Sequence, residues 1–89
     1  MYYVYLIKRE KHDFTYIGST VDLKNRFKEH NAGVNDSTRF YRPFKLVYYE
    51  AYLDKEDALS RENKLKHHGS SVGHLKKRIR NSLGGKRKA

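Results

Sequence analysis

Two ionisable side chains fall on the apolar faces of predicted helices, and the first of them is a histidine. In the predicted helix 22–31, Leu23 and Phe27 form an apolar stripe that also includes His30. Arg26 precedes His30 by one helical turn and lies at the edge of the same face. A lone histidine in such a position is usually a hydrogen-bonded core residue, and a functional role is the alternative.

The second of these side chains is a carboxylate. Glu62 shares one face of its predicted helix with Ala58 and Leu65. An ionised carboxylate that faces a core is costly unless a cation or a metal ion meets it. Two interpretations follow: Glu62 has a functional role, or it forms a structural salt bridge with Arg26 or Arg61.

Runs of alternating β-branched and aromatic residues predict the strands. Residues 2–8 and 14–18 read as two strands around a polar hairpin loop, and residues 44–52 are the longest strand candidate. Gly18 ends the second strand, where a glycine permits a tight turn or a close backbone approach.

Polar caps and glycines predict where three helices begin and end. Ser19 with Asp22 resembles a capping box for the first helix, 22–31, which Gly33 closes. Asp54 caps a second helix that runs to residue 68. The third helix, capped by Ser70 or Ser71, carries an apolar stripe of Val72, Leu75, Ile79 and Leu83.

The predicted order of elements is therefore ββαβαα. This order implies an α/β protein of the α+β type, in which a small three-stranded antiparallel sheet is flanked by helices. A chain of 89 residues has room for one small core. We predict a single domain over residues 1–83 and a basic disordered tail over residues 84–89.

The charge of the chain is strongly positive and unevenly distributed. Lys and Arg number 20 against 10 Asp and Glu, a net charge of +10. Residues 1–63 carry 11 basic and 10 acidic side chains, whereas residues 64–89 carry nine basic and no acidic ones. This asymmetry predicts a polyanion along the C-terminal third. The chain has no cysteine, no apolar run long enough to span a membrane and no signal-peptide pattern, so we expect a cytoplasmic protein.

The order of several short motifs resembles one family. Tyr3-Val4-Tyr5 and Tyr16-Ile17-Gly18 resemble the paired signature of the GIY-YIG endonuclease superfamily, although Tyr3 stands where the superfamily name has glycine. The segment 18–31 is similar to the helix that follows this signature, and 58–62 to the segment with the family's metal-binding glutamate. The short stand-alone bacterial members, similar to the N-terminal nuclease domain of the excision-repair nuclease, match best.

The resemblance implies a metal-dependent DNA endonuclease and assigns a role to five residues. Glu62 would hold one Mg²⁺ or Mn²⁺ ion with waters and the phosphate completing its shell. Arg26 would contact the scissile phosphate. Tyr5 would be the general base, alone or through Tyr16, and His30 would accept its phenolic proton. The family's additional downstream asparagine has no assigned position, because Asn63 and Asn81 both qualify.

Basic side chains outside this set are candidates for contacts with the phosphate backbone, which carry no base specificity. We therefore expect weak sequence specificity or a preference for single-stranded or branched DNA, in repair or recombination, with RNA still open. The predicted contacts are Lys24, Lys28, Arg39, Arg42, Lys76, Lys77, Arg78 and Arg80.

The sequence also leaves other functions open. The domain is either an active nuclease, a non-catalytic nucleic-acid-binding module, or a subunit that is active only with a partner protein. A zinc site built from His67, His68 and His74 is a further alternative. Adjacent histidines point apart on a helix and the chain has no thiolate, which argues against it.

Overall fold

The sheet and the helices follow the predicted order. The computed structural model describes residues 1–84 and shows an α+β fold with the order ββαβαα, as the sequence predicts. No helix of that range is long and apolar enough to cross a membrane. The elements are β1 (Tyr2–Arg9), β2 (Thr15–Thr20), α1 (Leu23–Ala32), a 3₁₀ helix (Arg39–Tyr41), β3 (Phe44–Tyr52), α2 (Lys55–His67) and α3 (Gly69–Arg78).

The three strands form one antiparallel sheet with β1 in its centre, in the order β2-β1-β3. Tyr5 of β1 pairs with Gly18 of β2 on one side and with Tyr49 of β3 on the other. Because β2 pairs only with β1 inside this sheet, its other side is an open edge.

The central strand is buried on both faces, so each face has its own apolar cluster. The face covered by α1 is centred on Tyr5, Ile7 and Phe44, with Leu23 and Phe27 packed against them. The opposite face is covered by α2 and α3 and has a larger cluster. Its buried members are Val4, Leu6, Ile17, Ala58, Leu65 and Leu75, and Val72, Ile79 and Leu83 pack against them. The apolar stripe predicted for the last helix therefore packs onto the core.

The start of α1 differs from the predicted capping box. The side chain of Asp22 is the N-cap and accepts a hydrogen bond from the backbone N–H of Asn25 at 3.1 Å. Ser19 takes no part, because it lies within β2 and its hydroxyl bonds to Glu62. Gly33 ends the helix as predicted, in the left-handed region at φ 80°.

The predicted caps of the other two helices are right for one and wrong for the other. Asp54 caps α2 and accepts from the backbone N–H of Glu56 at 2.8 Å. Neither Ser70 nor Ser71 caps α3, because the chain turns at His68 and both serines already lie inside the helix. The tail predicted over residues 84–89 lies outside the described residues, except for Gly84 in the final turn.

Candidate active site

The edge strand β2 allows side chains from both faces of the sheet to approach one another. Tyr16 packs with the apolar cluster under α1, whereas Ile17 packs with the cluster under α2. Since successive residues of a strand point to opposite faces, Gly18 lies on the α1 face and Ser19 on the α2 face. A site at this edge can therefore combine residues of both helices.

His30 is fully buried and both of its ring nitrogens have partners. Nε2 lies 2.7 Å from the hydroxyl of Tyr5, and Nδ1 lies 2.8 Å from Oγ1 of Thr38. The rings of Tyr16 and His30 are also neighbours, with centroids 5.2 Å apart. The histidine is a satisfied core residue, and its partner is the tyrosine that the sequence predicts as the general base.

Thr38 is the residue of this group that the sequence analysis missed. Its side chain has no exposed surface although it belongs to a polar loop. Loop threonines are mostly exposed, so no local signal separates Thr38 from Ser37 or other polar neighbours. Only the packing of the loop against α1 reveals that Thr38 holds His30.

Gly18 is required by the position of the Tyr5 ring. The two residues are paired across β1 and β2, and the ring of Tyr5 lies over the glycine. A Cβ atom added to Gly18 would lie 2.7 Å from Cζ of Tyr5, which is closer than real Cβ contacts. The glycine that ends the second motif therefore makes space for the tyrosine of the first.

The protonation states of this pair follow from burial and one nearby cation. Burial and the neighbouring Tyr16 raise the pKa of Tyr5 above its ordinary value, and the positive charge of Arg26 opposes them. Burial lowers the pKa of His30, and Arg26 lowers it further. At neutral pH Tyr5 is therefore a protonated phenol and His30 a neutral imidazole.

Arg26 lies at the border of the buried pair. Its side chain is 39% exposed, and its Nε lies 3.1 Å from Oε1 of the equally exposed Glu29. Arg26 thus lies at the edge of the inward face, as the helical spacing indicates, and part of its side chain is open to solvent. That exposure makes it accessible to a bound anion.

Glu62 approaches β2 from α2 and uses both carboxylate oxygens. Oε1 accepts from the hydroxyl of Ser19 at 2.7 Å, and Oε2 lies 3.0 Å from Nζ of Lys66. The predicted structural salt bridge with Arg26 or Arg61 is not formed. Arg26 pairs with Glu29, and Arg61 pairs with Glu50 at 2.9 Å.

The donor set around Glu62 fits a hard divalent ion better than zinc. Within residues 1–84 no group of three or more His, Cys, Asp or Glu side chains comes together as a metal-binding cluster, and this includes His67, His68 and His74. Glu62 is thus a single carboxylate with 19% of its side chain exposed and a cationic group already at one oxygen. Mg²⁺ and Mn²⁺ accept few protein ligands because they keep several waters, so the residues present fit such an ion.

The predicted backbone contacts fall into two separate sets. Lys24 and Lys28 are exposed on α1, and the nearby Arg39 lies 3.7 Å from Asp36. Arg42 packs its guanidinium against Gly33, with Cζ 2.9 Å from a Cβ built there. The second set lies on the other side of the sheet, at the end of α3 and in the turn that follows it: Lys76, Lys77, Arg78 and Arg80. Both candidates for the downstream asparagine, Asn63 and Asn81, are exposed, so the structure does not choose between them.

The chain has relatives among known proteins. The chain is 38% identical to a UPF0213 protein of Haloquadratum walsbyi over 66 residues, 73% of each chain. It is 43% identical to a UPF0213 protein of Clostridium perfringens over 67 residues, 74% of this chain and 71% of the relative. A UPF0213 protein of Streptococcus pyogenes is 48% identical over 48 residues, 53% of this chain and 52% of the relative.

No solved structure shows a significant match to the chain. The family model of the GIY-YIG catalytic domain matches residues 1–76. This range includes β1, β2 and the two helices that bring His30 and Glu62 to the edge of the sheet. The chain therefore belongs to the GIY-YIG catalytic domain family.

Proposed function

We propose that this protein is a metal-dependent DNA endonuclease with weak sequence specificity or a preference for single-stranded or branched substrates. Membership of the GIY-YIG family supports a nuclease-type function on nucleic acid. One observation carries the finer proposal. The hydroxyl of Tyr5 lies 2.7 Å from Nε2 of His30, and the positive charge of Arg26 opposes the rise of the Tyr5 pKa that burial causes.

The proton path of the proposed reaction begins at this hydroxyl. In the tautomer that the relay needs, Tyr5 donates a hydrogen bond to Nε2 of His30, and the N–H at Nδ1 donates a hydrogen bond to Oγ1 of Thr38. In the reaction, the attacking water passes a proton to the Tyr5 oxygen as the phenolic proton moves to Nε2. This relay requires an imidazole that is neutral beforehand, and burial of His30 supplies that state.

The negative charge of the phosphate is met by two groups. The half-exposed guanidinium of Arg26 can donate two parallel hydrogen bonds to phosphate oxygens, which suits the charge that develops in the transition state. Glu62 would hold the Mg²⁺ or Mn²⁺ ion, which when bound would neutralise charge on the phosphate and on the leaving oxygen. Arg26 belongs to the helix on one face of the sheet, and Glu62 belongs to a helix on the other face.

Two features support an enzyme over the alternatives. A non-catalytic binding module has no need for an inward-facing carboxylate, Glu62, whose second oxygen is held only by a partly exposed lysine. A subunit that depends on a partner would be favoured by exposed apolar residues on the last helix. Val72 and Ile79 instead pack against the core of the domain. The roles in repair or recombination and the cytoplasmic location stay predictions.

The test is a cleavage assay with labelled single-stranded, duplex, flap and Holliday-junction DNA in Mg²⁺ and in Mn²⁺. Glu62→Gln and Tyr5→Phe are expected to lower the rate on the preferred substrate at least ~100-fold, the range for losing a general base or a metal ligand. Glu56→Gln is the matched control, since it removes an exposed carboxylate from the same helix. Cleavage at the wild-type rate by Glu62→Gln would reject the proposal, and binding without cleavage by the wild type would favour the binding module.

A further inference from the structure

Lys66 lies between two of the predicted catalytic side chains. Its Nζ is 3.0 Å from Oε2 of Glu62 and 5.4 Å from the centre of the Tyr16 ring. It is spaced four residues after Glu62 on α2, the orientation in which an i,i+4 pair is favoured. Because Ser19 occupies Oε1, the ammonium group stands at the oxygen that a metal ion bound to Glu62 would use.

The two oxygens of Glu62 are held with different firmness. Ser19 is part of a strand and has a short side chain, so its bond to Oε1 fixes the carboxylate in place. Lys66 is 36% exposed and reaches Oε2 through a flexible four-carbon stem. An exposed pair of this type is weak, so Lys66 can leave Oε2 at little cost.

We propose that Lys66 is a displaceable cation that occupies the metal position at Glu62 and moves to a phosphate oxygen of the substrate when a divalent ion binds. This inference rests on the proposed function. An ammonium group and a divalent ion at the same Oε2 repel one another, so a bound ion favours the conformers in which Lys66 has moved away. Once displaced, Lys66 stands beside Tyr16 with its charge free for an anion, and the substrate phosphate supplies one.

The exchange makes metal binding and DNA binding cooperative. Without DNA, the ion must displace Lys66 and leaves its charge without a partner, so the ion binds weakly. With DNA, the same displacement gives Lys66 a phosphate contact, so each ligand strengthens the other by the same factor. Lys66 is a positioning residue in this scheme, because it sets when Glu62 becomes available.

The first experiment measures Mn²⁺ affinity by electron paramagnetic resonance without DNA. Lys66→Met removes the competing cation and is expected to tighten Mn²⁺ binding about threefold to fivefold, which is about 0.7 to 1 kcal/mol. Lys66→Arg keeps the charge and is expected to bind as the wild type does. Lys64→Met is the matched control, because it removes an exposed lysine from the same helix. Its effect is expected to stay below twofold.

The second experiment repeats the Mn²⁺ titration with a single-stranded oligonucleotide, in a Tyr5→Phe background in which hydrolysis is slow. DNA is expected to tighten Mn²⁺ binding in both proteins, because a phosphate oxygen joins the shell of the ion, but about threefold more when Lys66 is present than in the Lys66→Met variant. Thermal unfolding of each variant checks that the fold is retained. A role of Lys66 in stability alone would leave the effect of DNA unchanged.

The outcomes separate this inference from the proposed function. If Glu62→Gln weakens Mn²⁺ binding but Lys66→Met has no effect, or no more effect than Lys64→Met, then the role of Lys66 is rejected and the metal site stands. If Mn²⁺ binding is absent or does not depend on Glu62, then the metal role of Glu62 is itself rejected and the role of Lys66 falls with it.

Discussion

Two carboxylates lie between α2 and the sheet, and they differ in the number and type of their hydrogen-bond partners. Glu50, on β3, accepts hydrogen bonds from two nitrogens of Arg61 at 2.9 to 3.1 Å and from the hydroxyls of Tyr48 and Tyr52. Glu62, on α2 itself, has one serine hydroxyl and one lysine. In the Glu50 network both carboxylate oxygens are occupied by firmly held donors, so we call it the closed network. In the Glu62 network one partner is the flexible Lys66, which can move away.

The charges of the closed network reinforce one another. Burial alone would raise the pKa of Glu50, but hydrogen bonds from Arg61, Tyr48 and Tyr52 outweigh it and hold the pKa below its ordinary value. Burial and the bond to Glu50 raise the pKa of Tyr52 to about 12. A carboxylate surrounded in this way has no oxygen left for a ligand. The comparison teaches that the number and the rigidity of its partners, rather than burial, distinguish a structural carboxylate from one that can bind substrate or metal.

The largest effect expected from this comparison is on stability. Glu50→Ala leaves the guanidinium of Arg61 and two tyrosine hydroxyls without their acceptor, and we expect a loss of about 2 to 3 kcal/mol, somewhat below the range for fully buried pairs. Glu62→Ala breaks one hydroxyl bond and one exposed pair, so its loss is expected to stay at or below about 1 kcal/mol. Urea unfolding of both variants measures the difference. Equal losses would show that the two networks do not differ as their geometry indicates.

The sequence predicted the position of Glu62 but not its partners. The spacing from Ala58 to Leu65 is a property of one helix, and it correctly placed Glu62 on the inward face. Which cation pairs with Glu62 depends on how that helix lies across the sheet. In the structure Arg61 pairs instead with Glu50, eleven residues earlier, and no local sequence pattern indicates that pairing.

The same distinction holds for the fold. The alternating strands, the left-handed turn at Gly33 and the cap at Asp54 are local features, and the sequence predicted all of them. Ser19 failed as a cap because β2 continues through it, and Thr38 was missed because its burial results from tertiary packing. Short polar side chains adopt several roles, and the fold selects among them.

The His30 network combines the properties of both carboxylates, since both of its ring nitrogens have partners, as the oxygens of Glu50 do, and it ends at a predicted catalytic hydroxyl. Thr38→Val keeps the shape of the side chain but removes the partner of Nδ1, and it is expected to cost about 1 to 2 kcal/mol of stability. DNA cleavage is expected to fall about tenfold, because the imidazole loses the group that orients its proton. Urea unfolding and initial rates measure the two effects. Thr38→Ser retains the hydroxyl and should recover the rate, and a Val variant with the wild-type rate would contradict the positioning role.

The smallest expected effect is on the pH dependence of stability, because the His30 and Glu50 networks lose their contributions in different pH ranges. Burial and Arg26 lower the pKa of His30, so below the ordinary value of 6.5 the unfolded chain binds the proton more readily than the native protein does. The stability that neutral His30 contributes is therefore present above pH 6.5 and is lost as the pH falls below it, with a slope of at most about 1.4 kcal/mol per pH unit. Glu50 has a lowered pKa, so it loses its contribution to stability only as the pH falls below the ordinary value of 4.5.

Urea unfolding between pH 5 and pH 8 measures the dependence of stability on pH. We expect a slope in the wild type that His30→Gln reduces and Glu50→Gln leaves in place. An unchanged slope in His30→Gln would mean that the imidazole is not held neutral, and the proton relay from Tyr5 would lose its acceptor.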